Sequence, residues 1–72
     1  MNADVDAVLV DTRGMRCPWP ALRLARAVRG GAVLTHYILL SDDPNAGTEI
    51  AALAAANGWR LAREAGRYDL WT

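Results

Sequence analysis

Short apolar segments alternate with polar segments rich in glycine and proline along the chain, and they predict four β-strands. Residues 7–11 form a valine-rich run that is typical of a strand, and residues 33–41 form a longer run of the same kind. Residues 59–64 and 67–71 flank a tight turn that contains Gly66. These last two segments therefore predict an antiparallel hairpin.

Two segments between the strands have the periodicity of helices. The first, from residue 17 to about residue 29, has an apolar face at helical spacing formed by Ala21, Leu24, Ala25 and Val28. The pair Gly30-Gly31 predicts its end. The second helix is predicted from residue 44 or 45 to residue 57, with Asp43 as the N-cap and Pro44 at the first helical position.

The resulting order β-α-β-α-β-β belongs to the α/β class. Two helices can cover one face of a four-stranded sheet, so we expect a two-layer α/β sandwich. A helix between the first two strands favours a parallel pair, whereas the hairpin is antiparallel, and the sheet is therefore predicted to be mixed. The chain has 72 residues, which predicts a single domain over residues 1–72.

Composition and charge exclude several classes of protein. Eight arginines balance eight acidic residues, so a uniformly basic nucleic-acid-binding protein is excluded and we expect no stable binding to nucleic acid. No apolar run approaches the roughly 20 residues that span a bilayer, and we expect no membrane association. The acidic first eleven residues do not resemble a signal peptide, and a single cysteine suits a reducing compartment. We therefore expect a cytoplasmic protein.

The single cysteine lies in the most informative segment, Gly14-Met15-Arg16-Cys17-Pro18-Trp19-Pro20. Two prolines so close together are tolerated only in the first turn of a helix, where N–H groups have no helical partner. They place Cys17 at the N-cap or just before it. The positive end of the helix, with Arg13 and Arg16, predicts a partly exposed thiol with a lowered pKa. The alternative is an inert cysteine packed under the turn.

Few kinds of thiol chemistry are compatible with one cysteine. A hydrolase needs a histidine base, and His36 lies in the middle of a predicted strand, where a structural role is expected. A dithiol oxidoreductase needs a second cysteine, and Cys17 with His36 cannot complete a zinc site, so we expect no metal and no cofactor. A thiol that accepts a group from one protein and passes it to another remains.

Two other functions stay open. Cys17 could act as a redox-sensing thiol. The arginines at positions 23, 26 and 29 could bind RNA, although a solvated helix face explains their spacing as well.

Residues 11–20 resemble the signature of the TusA/SirA family of small sulfur carriers, in which a glycine and two further residues precede Cys-Pro-x-Pro at the first helix. The resemblance continues at Asp42-Asp43-Pro44, Glu49-Ile50 and Asn57-Gly58, and it covers almost the whole chain from about residue 5. It implies the same β-α-β-α-β-β sandwich. Relatives have a Pro-Gly pair before the second strand, whereas Leu34 occupies roughly that glycine position here.

The resemblance implies that Cys17 carries a persulfide, taken from a cysteine desulfurase or rhodanese-type donor and passed to a downstream acceptor protein. The processes served by the family include tRNA thiolation, molybdenum-cofactor assembly and sulfur oxidation, in which such a protein acts as a carrier rather than as a turnover enzyme. Pro18 and Pro20 would define the helix start, and Gly14 would allow a tight approach to that turn. Arg13, Arg16 and Trp19 are candidate partner contacts, Trp19 either pointing outward or folding back onto the sheet.

Overall fold

The computed structural model describes residues 7–32 and 34–72, which form a mixed four-stranded sheet and two helices. In chain order the elements are β1 (Val8–Asp11), α1 (Trp19–Gly30), β2 (His36–Leu40), α2 (Ala46–Asn57), β3 (Arg60–Glu64) and β4 (Arg67–Trp71). The strand order in the sheet is β1-β2-β4-β3. β1 is parallel to β2, and β4 is antiparallel to both of its neighbours. The predicted α/β sandwich and its mixed sheet are confirmed.

The core lies between the two helices and one face of the sheet. Successive residues of a strand point to opposite faces, so the apolar residues at alternate positions share the face that the helices cover. The buried core consists of Val10, Leu24, Tyr37, Leu39, Ile50, Ala54, Tyr68 and Leu70. Among the described residues, neither helix is long and apolar enough to cross a membrane.

The other face of the sheet carries a polar network centred on His36. The Nε2 atom of His36 lies 2.7 Å from Oδ1 of Asp69, which also accepts hydrogen bonds from Arg67. The imidazole stacks on the ring of Trp71, with 4.7 Å between the ring centroids. His36 therefore has the structural role that its position in a strand predicted.

Several predicted boundaries are shifted in the structure, and two of these shifts have a clear local cause. β2 begins at His36 rather than at residue 33, because Leu34 has a φ of 57°, a left-handed conformation that a strand does not contain. Residue 33 itself lies outside the described residues. α2 begins at Ala46, with Asn45 rather than Asp43 at the N-cap position. The Asp43 carboxylate nevertheless accepts the Asn45 N–H at 3.1 Å, so it still satisfies a donor just before the helix.

The parallel pairing of β1 and β2 brings together the two loops that follow these strands. Carboxyl ends of neighbouring parallel strands lie at the same edge of a sheet. Thr12, the first residue after β1, is buried, and both its backbone N–H and its hydroxyl donate to the Leu40 carbonyl, at 2.8 and 2.6 Å. The loop at residues 12–18 is thereby held beside the loop at residues 41–45.

Candidate functional site

Cys17 lies immediately before the first helix. α1 begins at Trp19, with Pro18 at the N-cap and Pro20 at the second helical position, so the two prolines mark the helix start as predicted. The Cys17–Pro18 peptide bond is cis. Pro20 is buried and Cys17 is half-buried. The thiol is therefore partly exposed, as the sequence predicted.

An open cleft of about 630 Å³ contains Cys17 and lies between the two loops. It is lined by Gly14, Met15, Arg16, Cys17, Asp42, Asp43, Pro44 and Asn45. The structure thus brings three of the predicted site residues into one cleft, namely Gly14, Arg16 and Cys17. It also adds the acidic pair Asp42 and Asp43, for which no contact with the cysteine loop was predicted.

Asp42 and Asp43 hold the cysteine loop through its backbone. The Gly14 N–H donates to both carboxylate oxygens of Asp42, at 3.0 and 3.1 Å, and the Cys17 N–H donates to Oδ2 of Asp43. Hydrogen bonds from the Asn45 and Cys17 backbones lower the pKa of Asp43, and the charge of Arg16 lowers it further. In the sequence, this role is indicated by the position of the acidic pair after β2, the strand that pairs with β1 in parallel.

Gly14 is required for its backbone conformation. Its φ is +88°, in the region that residues with a side chain rarely adopt. No atom lies within 4 Å of the position that a Cβ would occupy. Glycine is therefore needed at this position because the turn that presents its N–H to Asp42 is left-handed. The close approach of another group does not explain the glycine.

The pKa of the Cys17 thiol is raised, so the prediction of an unusually acidic thiol is wrong. Partial burial is the largest cause, followed by the negative charge of Glu49, a hydrogen bond to its carboxylate, and the charge of Asp43. A neutral S–H group donates to a carboxylate, whereas a thiolate is repelled by it. No pattern in the sequence assigns a role to Glu49, because only the packing of α2 beside α1 brings its side chain to the thiol.

The positive groups that were expected to stabilise a thiolate act elsewhere. Arg13 binds Asp11 through two hydrogen bonds of 2.9 and 2.7 Å, which lower the pKa of Asp11 to about 2. Arg16 acts on Asp43 instead. At the start of α1, the Trp19 N–H donates to the Arg16 carbonyl at 2.8 Å, and Pro20 has no N–H to offer. Neither Trp19 nor Pro20 at the start of α1 therefore has an N–H group available to stabilise a thiolate at Cys17.

The three candidate partner contacts differ in their positions. Trp19 is 60% exposed, so its side chain points outward and does not fold back onto the sheet. Arg16 lines the cleft beside Cys17, whereas Arg13 and Trp19 do not line it. An exposed indole and an exposed guanidinium beside an open thiol are side chains that commonly anchor protein interfaces.

The cleft provides an accessible thiol, and the Glu49 carboxylate, which does not line the cleft but acts on the thiol, can accept its proton. Because the cleft is open, a sulfur atom carried by a second protein can approach Cys17. In the described part of the chain, no group of three histidine, cysteine, aspartate or glutamate residues could hold a metal ion. This arrangement can exchange a group between thiols, a reaction that needs a nucleophile, a proton acceptor and access.

Comparison with known proteins identifies a family. A family model described as "Sulfurtransferase TusA" matches residues 8–72, from the first residue of β1 to the last residue of the chain. No curated protein matches the chain. The family match includes Cys17 and every residue that lines its cleft.

Proposed function

The chain belongs to the TusA sulfurtransferase family, and we propose that it carries sulfur as a persulfide on Cys17. Membership of the family implies a role as a sulfur carrier or sulfurtransferase. One observation supports the choice of residue above the others: Cys17 is the single cysteine of the chain, and it is partly exposed in an open cleft. The family match, and not the pKa of the thiol, favours this role over a redox sensor, because both roles require a thiolate nucleophile.

The proposed loading step is a thiol–disulfide-type exchange. The Cys17 thiol gives up its proton, and the Glu49 carboxylate, whose charge acts on the thiol, is the proposed acceptor. The Cys17 thiolate attacks the terminal sulfur of a donor persulfide, forming a new S–S bond while the S–S bond of the donor breaks. The donor cysteine leaves as a thiolate, and no net oxidation occurs. Transfer to an acceptor repeats the exchange with the acceptor thiolate as the nucleophile.

The proposed donor is a cysteine desulfurase or a rhodanese-type protein, and the proposed acceptor is a downstream protein of tRNA thiolation, molybdenum-cofactor assembly or sulfur oxidation. Arg16 and Trp19 are exposed side chains within two residues of Cys17 that a partner could contact, and Arg13 lies on the preceding turn. The relay is proposed to operate in the cytoplasm, where reducing conditions keep a lone thiol free.

The experiment that tests this function is intact mass spectrometry. The protein is incubated with a cysteine desulfurase and cysteine, and separately with a rhodanese and thiosulfate. We expect a gain of one sulfur atom, its removal by reductant, and no gain in the Cys17→Ser variant. If neither donor adds sulfur to the wild-type protein, or if the variant gains it equally, the proposal is wrong.

A further inference from the structure

The two edges of the sheet differ in how they are protected. Edge strands commonly carry charges that prevent the addition of a further strand. β3 follows this rule, since three of its five residues are Arg60, Arg63 and Glu64. β1 is apolar over Val8, Leu9 and Val10, and among the described residues it pairs on one side only, with β2. Leu9 is 61% exposed. In the part of the chain that the structure describes, β1 is therefore an open edge.

The outer side of β1 presents backbone groups that can pair with another strand. The Thr12 N–H points toward β2, where it donates to the Leu40 carbonyl. Backbone groups alternate in direction along a strand, so those of Val10 also point toward β2, and those of Leu9 and Asp11 point away from it. The outward N–H and C=O groups of these two residues match the ladder that an extended peptide would form.

A groove of about 630 Å³ runs between this edge and α1, and it is basic. Arg23 and Arg26 line it from the helix, and both are exposed. Within residues 7–32 and 34–72, neither arginine has an ion-pair partner. The one acidic side chain of the groove, Asp11, is already paired with Arg13. As far as the described residues show, the groove therefore has unneutralised positive charge beside unpaired backbone groups.

We propose that the edge of β1 is a docking site for an extended acidic segment of a partner protein. The segment adds as a fifth strand and pairs with the outward backbone groups of Leu9 and Asp11. On the side of the sheet that α1 covers, its alternate side chains are carboxylates that meet Arg23 and Arg26. On the open side, its apolar side chains pack beside Leu9 as cross-strand neighbours.

Charge decides between this partner and a second copy of the chain. Antiparallel pairing of two β1 strands about a twofold axis normal to the sheet would set both α1 helices side by side on one face. Arg23 and Arg26 of the two copies would then face each other and repel. RNA is also less suitable, because it lacks the alternating donors and acceptors that satisfy a strand edge.

This surface is separate from the cysteine cleft, since the two share no lining residue. A partner bound at β1 leaves the thiol accessible. The proposal does not depend on sulfur chemistry, so the Cys17→Ser variant is expected to bind the segment as tightly as the wild-type protein.

The test uses an N-acetylated, fluorescein-labelled peptide of alternating glutamate and valine, and a matched peptide with lysine in place of glutamate. Fluorescence polarisation measures the affinity, and amide shifts in ¹H–¹⁵N spectra locate the binding. We expect binding of the glutamate peptide only, with the largest shifts at Leu9 and Asp11. Arg23→Gln combined with Arg26→Gln is expected to weaken binding about fivefold, as for two exposed ion pairs.

Three controls separate the proposal from general effects. Arg29→Gln removes an exposed arginine of α1 that does not line the groove, and it should leave the affinity unchanged. Leu9→Pro removes an outward N–H, which an edge strand tolerates, and should abolish binding, whereas Leu9→Thr should retain it. A melting curve of each variant shows that it is folded.

Several results would overturn the proposal. Equal binding of the lysine peptide, equal loss of affinity in Arg29→Gln, or amide shifts confined to the cysteine cleft would each do so. A dimer of the wild-type protein in light scattering that is absent in the Leu9→Pro variant would also overturn it, because a second copy would then occupy the edge. Tighter binding of oligouridine at Arg23 and Arg26 without shifts in β1 would assign the groove to RNA.

Discussion

The backbone N–H of Cys17 donates a hydrogen bond to the carboxylate of Asp43, a residue of the loop that follows β2. The same carboxylate accepts the Asn45 N–H, so one side chain holds the loops after both parallel strands. This contact also places a negative charge beside the thiol, whose pKa is raised by burial, by Glu49 and by Asp43. The contact that positions the cysteine therefore also contributes to the raised pKa of its thiol, after burial and Glu49.

Glu49→Gln is expected to make Cys17 more reactive toward iodoacetamide at neutral pH. The substitution removes a negative charge and lowers the pKa of the thiol, so a larger fraction is thiolate and the alkylation rate rises several-fold. The measurement is the rate against pH, whose inflection should move to lower pH. Glu64→Gln, which removes an exposed carboxylate from β3, is the matched control and should leave the profile unchanged. An unaltered inflection in Glu49→Gln would contradict the assigned cause.

Gly14→Ala is expected to destabilise the protein by about 1 kcal/mol, because a Cβ is strained at a φ of +88°. Chemical denaturation measures the free energy of unfolding. Gly30→Ala is the matched control, since Gly30 ends α1 without a positive φ and has equal space around it. That control should be neutral or stabilising. Equal losses in the two variants would show that the conformation of Gly14 is not what matters.

Leu34→Gly is expected to raise the free energy of unfolding by about 1 kcal/mol. Leu34 has a φ of 57° and is 88% exposed, so its side chain contributes strain and little packing. Leu34→Ala removes most of the side chain but keeps a Cβ in the left-handed conformation, and it should be close to neutral. Urea denaturation distinguishes the two variants, and a gain in Leu34→Ala as large as that in Leu34→Gly would contradict the backbone explanation.

Asp69→Asn is expected to reduce the free energy of unfolding at neutral pH. It is also expected to make that free energy depend less on pH in the acidic range. Hydrogen bonds from Arg67, and then from His36, lower the pKa of Asp69 in the folded state. The unfolded chain therefore binds the proton first, and the stabilisation is complete above the ordinary pKa of about 4 and is lost as the pH falls through the lower folded value.

The expected loss for Asp69→Asn at neutral pH is about 1–2 kcal/mol, as for hydrogen bonds to a charged group. Below pH 4 the free energy of unfolding of the Asp69→Asn variant should approach that of the wild-type protein. Thermal unfolding between pH 7 and pH 2 measures this, with Glu64→Gln as a variant of equal charge change. Parallel stability curves for wild type and Asp69→Asn would show that the network around His36 does not depend on ionised Asp69.

Local rules account for most of the fold and for the position of the cysteine. The two prolines at 18 and 20 restrict the start of α1 to one place, because each lacks a donor that the helix interior needs. The end of β1 was also predicted to the residue. The start of β2 was not, since the left-handed conformation of Leu34 belongs to a position where glycine is usual and has no signal in an apolar run.

The candidate site was predicted only in part. Cys17 and its exposure follow from the motif, but the pKa of its thiol depends on which charges face it in space. Arg13 and Arg16 are close to Cys17 along the chain, yet they pair with Asp11 and act on Asp43. Glu49 is thirty-two positions from Cys17 in the sequence, and in the fold its charge raises the pKa of the thiol. Distance along the chain was a poor guide to the electrostatics.

The sequence by itself determined the order of the elements, the helix start at the prolines and the one residue capable of thiol chemistry. Each of these depends on periodicity, on backbone restrictions or on residue type, which act within a few residues. The tertiary structure alone decided the direction in which the pKa of that thiol is shifted and the contrast between the charged edge at β3 and the open edge at β1. Both depend on which side chains from distant segments meet, because electrostatic interactions and strand pairing are properties of the folded arrangement.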